Sequence, residues 1–123
     1  MQTSPALKIL LVDDDAALLD ALRFSLELEG FDVETFSSGE ALLMRDPPPP
    51  DACLVLDQKL PGASGLATLV QLRERNVALP ALLITSHPNP ALRAAAAQAG
   101  VRIVEKPLIG DALVESIRSA MNA

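Results

Sequence analysis

Basic residues are scarce in this chain. Ten Lys and Arg stand against sixteen Asp and Glu, for a net charge of −6. A domain so charged is a poor candidate for direct nucleic-acid binding. Cysteine is nearly absent as well. Cys53 is the single one, which excludes an internal disulfide and is compatible with a reducing compartment. No apolar stretch approaches the roughly 18 residues that a membrane span needs, and Met1 to Ala6 carries no signal-type apolar segment. A cytoplasmic setting without membrane contact is therefore expected. Trp and Tyr are missing altogether, and His87 is the sole histidine.

What is present is apolar. Half of the 123 residues are hydrophobic and 21% are charged, which argues against disorder and fits one domain over residues 1–123. The run Ala52-Cys53-Leu54-Val55-Leu56 has no polar alternation, so it reads as a strand buried on both faces, as in a parallel sheet under helices. It stops at Asp57, and a turn rich in Pro61, Gly62 and Gly65 follows. Lys8 to Val12 repeats the pattern and ends in Asp13, Asp14 and Asp15. The next segment predicts a helix with Leu18, Leu22 and Leu26 on its apolar stripe, Ala21 and Leu28 beside it, and Gly30 as its stop.

Phe31 to Phe36 alternates as an edge strand would, and Ser37 or Ser38 can cap a short helix from about Gly39 to Arg45. Asp46 to Asp51 is a stiff proline-rich spacer. Leu66, Leu69, Val70 and Leu72 mark a helix ending near Asn76, and Leu79 to Thr85 reads as a strand. Asn89-Pro90 starts an Ala-rich helix that ends before Gly100. Arg102 to Glu105 is a short strand closed by Lys106-Pro107, and a last helix from about Gly110 buries Leu113, Ile117 and Met121. Strands alternating with helices in this way make a (βα)5 unit, most simply a doubly wound α/β domain with a five-stranded parallel sheet.

In such a sheet the strand ends share one edge, where ligands bind. That edge would gather Asp13, Asp14, Asp57, Thr85 and Lys106. Two carboxylates about 4 Å apart repel by roughly 4 kcal/mol at an effective dielectric near 20. Keeping three of them ionised calls for a cation, and an all-oxygen donor set favours Mg2+ over zinc. A carboxylate beside a divalent cation and a lysine is suited to attack phosphorus. Taken singly each residue has a plainer reading: the 13–15 acids as helix caps, Asp57 as a turn residue, Thr85 as an ordinary strand residue, Lys106 as a solvated strand end.

The segments Leu11 to Asp15, Asp57 to Gly65, Leu83-Ile84-Thr85 and Glu105-Lys106-Pro107 together resemble the receiver domains of bacterial two-component response regulators, most closely those that precede LuxR-type helix-turn-helix outputs. The resemblance runs from Lys8 to Met121. It implies a flavodoxin-like strand order 2-1-3-4-5, with Asp57 as acceptor of a phosphoryl group from a sensor histidine kinase or a histidine phosphotransfer protein. It implies Mg2+ as cofactor, held by Asp14, Asp57 and the backbone carbonyl of Lys59, with Asp13 acting largely through water. Thr85 and Lys106 would contact the phosphoryl group, and Lys106-Pro107 would be a cis peptide. The resemblance further implies a signalling switch rather than an enzyme, with the face of the fourth helix, fifth strand and fifth helix as partner surface or homodimer contact. No output domain lies within these residues, so a stand-alone receiver or one separated from a longer regulator is expected.

One position departs from the family. Three residues before the motif lysine, where Tyr or Phe is usual, stands Ile103. This leaves the phosphorylation chemistry intact, puts the usual route of signal propagation in question, and keeps open a receiver-like module that is never phosphorylated. An aspartate-nucleophile phosphatase would want a second Asp where Lys59 stands. A flavodoxin-type cofactor binder would find Asp13 to Asp15 repelling its phosphate. With His87 alone, the chain has little scope to supply its own phosphohistidine.

Overall fold

The computed structural model describes residues 7–45, 48–106, 108 and 111–121. Its elements run β1 (Lys8–Val12), α1 (Ala16–Leu28), β2 (Asp32–Phe36), α2 (Gly39–Leu43), β3 (Ala52–Asp57), α3 (Gly65–Glu74), β4 (Ala81–Thr85), α4 (Pro90–Gln98), β5 (Arg102–Glu105) and α5 (Ala112–Met121). The strands form one parallel sheet of order β2-β1-β3-β4-β5, the doubly wound arrangement expected.

Apart from Lys8 at the start of β1 and Asp57 at the end of β3, the two strands lack polar residues because both of their faces are covered. Ile9, Leu11, Cys53 and Val55 pack with Leu19, Leu26, Leu113, Val114 and Ile117 of α1 and α5. Their neighbours Leu10, Val12, Leu54 and Leu56 turn the other way, onto Leu42, Leu69, Leu72 and Ala96 of α2, α3 and α4. Each such leucine, fully withdrawn from water, contributes about 1.5–3 kcal/mol.

Helix starts follow their caps. Asp15, Ser38, Ser64 and Asn89 each accept a hydrogen bond from the backbone N–H three residues on, at 2.8–3.1 Å. The 13–15 acids therefore divide: Asp15 is the cap, and Asp13 and Asp14 are left to the strand edge.

Several boundaries and faces differ from the expected ones. α1 presents Leu19, Leu22 and Leu26 to the sheet, whereas Leu28 is 72% exposed and Ala21 faces solvent. Five leucines within 18–28 allow two helical stripes, and the one that meets the sheet wins. Val70 on α3 is also exposed. α2 stops at Leu43, and β4 begins after Pro80, whose ring leaves no N–H for the ladder. Gly110 and the Lys106-Pro107 peptide bond lie outside the described residues.

Gly65 opens α3 directly against the end of β3. A Cβ there would lie 2.5 Å from the Asp57 carbonyl oxygen and 2.9 Å from Leu83 Cδ1. Backbone cannot yield as a flexible side chain can, so Gly65→Ala is expected to destabilise the fold by about 1–3 kcal/mol. Urea unfolding checks this, and an unchanged midpoint would show that the β3–α3 junction has slack.

Candidate functional site

The site follows from register. Val12 pairs with Leu56, so Asp13 and Asp57 emerge level from adjacent strands. Asp57 pairs with Ile84, and Thr85 with Glu105, which brings Thr85 and Lys106 to the same edge. Backbone bonds hold the edge together: Gln58 N–H donates to the Ile84 carbonyl at 2.8 Å, Lys106 N–H to the Thr85 carbonyl at 2.9 Å, and Asp13 N–H to the Phe36 carbonyl at 3.1 Å.

A cleft of about 580 Å3 opens there, and among its lining residues are Asp13, Asp14, Asp57, Lys59, Thr85 and Lys106. Every residue assigned to the site from the sequence thus borders one cavity. The carboxylates of Asp13, Asp14 and Asp57 each offer an oxygen within 4.8 Å of the others. Asp13 and Asp57 are buried, at 4% and 5% exposure, while Asp14 faces solvent. Lys106 Nζ lies 3.2 Å from Asp57 Oδ1 and 4.0 Å from Asp13 Oδ2.

Burial pushes the Asp57 carboxyl above its ordinary range, and the neighbouring Asp13 charge pushes it further, against the pull of Lys106. Burial also raises Asp13, opposed by the Asp15 N–H that its Oδ1 accepts at 3.0 Å and by Lys106. Two desolvated acids with shared repulsion and one lysine leave room for a further positive charge. The donors are all hard oxygens, a set that fits Mg2+ better than a thiophilic metal.

Two features of the site carry no sequence signal of their own. Thr85 Oγ1 accepts a hydrogen bond from His87 N–H at 3.2 Å, which ties the hydroxyl to the loop that follows it. Gln58 braces the turn after Asp57, its Oε1 accepting from Leu66 N–H at 2.9 Å. Both are single contacts to backbone N–H groups, recognisable only once the chain is folded.

A parallel, doubly wound α/β domain with paired acids and a lysine at the carboxyl edge of its sheet is the architecture of a phosphoryl-signalling domain. The chain belongs to the response regulator receiver domain family, which it matches over residues 9–118. It is 35% identical over 114 residues to the transcriptional regulatory protein FixJ of Bradyrhizobium diazoefficiens, covering 92% of this chain and 56% of that one. To the C4-dicarboxylate transport transcriptional regulatory protein DctD of Pseudomonas aeruginosa it is 36% identical over 115 residues, 93% of this chain and 25% of that one. The crystal structure of FixJ-N superposes with a TM-score of 0.85 at 30% identity, covering 99% of this chain and 96% of that one. The chain spans about half the length of FixJ and a quarter of DctD.

The raised carboxyls have a consequence for stability. An acid whose folded pKa exceeds its unfolded one stabilises the fold fully below the unfolded value, near 3.8 for Asp, and loses that contribution as pH rises through the folded value. In chelator-treated buffer, Asp57→Asn should be more stable than the unaltered chain, by a margin that widens from about pH 4 to about pH 7.5. Urea unfolding at both pH values measures it. A constant margin would mean that Lys106 balances burial at Asp57, and one that shrinks with pH that it outweighs it.

Proposed function

We propose that this chain is a cytoplasmic phosphoacceptor switch, a single receiver domain over residues 1–123, in which Asp57 takes a phosphoryl group from a sensor histidine kinase or a histidine phosphotransfer protein. The observation that carries this reading is the buried Asp57 carboxylate with Lys106 Nζ at 3.2 Å and two further carboxylates beside it. In the transfer, an Asp57 oxygen forms a bond to phosphorus as the phosphorus–nitrogen bond of phosphohistidine breaks, and the electron pair stays on the imidazole nitrogen. Asp13, Asp14, Asp57 and the Lys59 carbonyl would hold Mg2+, which supplies charge neutralisation for the transferring group. Lys106 exchanges its Asp57 partner for a phosphoryl oxygen, and the Thr85 hydroxyl leaves His87 N–H to do likewise.

The chain is read as a substrate of phosphotransfer rather than an enzyme acting on others. An apolar recess lined by Leu18, Ala21, Leu22 and Leu108 shares Ser86 and Lys106 with the acidic cleft, which supports delivery by a protein donor. Among the described residues no helix is long and apolar enough to cross a membrane. The acidic balance argues against nucleic-acid contact by this domain. The FixJ relatives support the expectation of a transcriptional output elsewhere in a regulator.

Incubation with acetyl phosphate and Mg2+ followed by intact mass should show one added phosphoryl group, absent in Asp57→Asn and absent after EDTA. A mass increment that survives Asp57→Asn would move the nucleophile elsewhere and break the assignment.

Ile103 shapes the response. It is partly buried on the α4 side of the sheet, in the cluster that holds Leu92 and Ala96. A β-branched side chain is stiff at χ1 and cannot swing a ring between surface and interior. The switch should therefore run through Thr85, the 86–89 loop and α4, with the α4–β5–α5 face as partner or homodimer surface. Adding beryllofluoride with Mg2+ should move amide NMR signals across residues 86–118. Shifts confined to the acidic pocket would favour a module that does not switch.

A further inference from the structure

Residues 59 to 64 carry the chain from β3 to α3 as an arch at the rim of the acidic cleft. Both feet of the arch are fixed. Gln58 donates its N–H to the Ile84 carbonyl at 2.8 Å, and its own carbonyl accepts from Gly65 N–H at 3.2 Å. At the far foot, Ser64 caps α3 through Ala67 N–H at 3.1 Å. The span between includes Pro61 and Gly62, the latter at φ +74°, and belongs to no strand or helix.

Leu60 packs onto the core cluster from within this span, and one described side chain from another element hydrogen-bonds to its backbone. Glu40, in the first turn of α2, accepts the Ala63 N–H on Oε2 at 3.0 Å. Gly62 lies against the same carboxylate, where a Cβ would come within 2.7 Å of Oε2. The Ala63 N–H holds the Glu40 carboxyl below its usual range, which agrees with a bond made to the ionised form. α2 is a firm base for this reach. Gly39 packs so tightly on Thr68 of α3 that a Cβ would overlap the Thr68 hydroxyl, and that hydroxyl donates to the Ser64 carbonyl at 2.9 Å. Glu40 is solvent-exposed and borders neither the cleft nor the core, so stability alone gives little reason for so specific a contact.

We propose that Glu40 is a positioning residue for the acidic cleft: by pinning Ala63 and Gly62 it holds the 59–64 arch so that the Lys59 peptide stays at the rim beside Asp57, ready to help hold a divalent cation. The inference rests on the cleft being a cation-dependent phosphoryl acceptor. It adds a residue of α2, outside the cleft lining, whose effect passes through the arch backbone. Groups that orient ligands without touching the ion change affinity by about 10–100-fold in well-studied metal sites. An exposed tether should sit at or below the low end of that range.

The test uses the full chain, with Mg2+ titrated calorimetrically and Ala63 amide exchange followed by NMR. Glu40→Ala should raise the Mg2+ dissociation constant by about three- to tenfold and speed exchange at Ala63. Glu40→Gln keeps an acceptor oxygen without the charge, and should restore the dissociation constant to within about twofold of the unaltered chain. An unchanged constant in Glu40→Ala overturns the inference. So does a Gln variant as weak as the Ala variant, since the effect would then be charge and not tethering. If the unaltered chain itself fails to bind Mg2+, the cleft reading falls and takes this inference with it. If it binds normally and Glu40→Ala does too, the inference fails alone.

Discussion

The whole domain answers to one constraint: the carboxylates of Asp13 and Asp57 stand side by side, nearly withdrawn from water, at the ends of two level strands. Burial and mutual repulsion both work against their charge. Lys106 reaches in from the end of β5 to offset part of this, at 3.2 Å from Asp57 and 4.0 Å from Asp13. One ammonium against three acids leaves the site short of positive charge. The stability that allows it comes from the apolar faces behind it. β1 and β3 are buried on both sides, so the core can carry an unfavourable cluster at its rim without the fold giving way.

Much of this was legible in the sequence because the signals were strong and mutually consistent. An apolar run without alternation that stops at an acid has few readings, and it occurs twice. The parallel sheet then brings the strand ends together without any need to know side-chain positions. Caps were equally plain, since Ser38 and Asn89 sit just ahead of their helices and Pro90 fixes a first helical residue.

The misses have physical causes. α1 carries leucines at 18, 19, 22, 26 and 28, so periodicity admits more than one stripe, and the docking angle on the sheet picks Leu19 over Leu28. The acids 13–15 look alike in sequence, and the point where strand gives way to helix is what separates a buried acid, an exposed acid and a cap. Glu40 was invisible for a different reason. Its partner is a backbone N–H 23 residues away on an irregular segment, and no residue pattern encodes such a pairing.

Exchange of signal between the cleft and the surface depends on how few contacts must change. Thr85 sits at the junction: its hydroxyl accepts from His87 N–H, and its carbonyl accepts from Lys106 N–H. A displacement of Thr85 therefore pulls on the start of the β4–α4 loop and on the end of β5 at once. What it meets beyond is light. α4 is largely alanine, with Ala96 its buried residue and Leu92 partly buried, while Ile103 fills the adjoining space. Small side chains make a shallow interlock, so a modest shift of the loop can re-seat the helix at little cost. A stiff Ile also limits how different the two seatings can be, because no large group changes sides. If phosphorylation switches the domain as proposed, the bias it can impose would be bounded by those small differences in packing. On the proposed reading, a receiver built this way would trade a wide swing for a low barrier, and any output it controls would answer to the position of α4 rather than to the exposure of a ring.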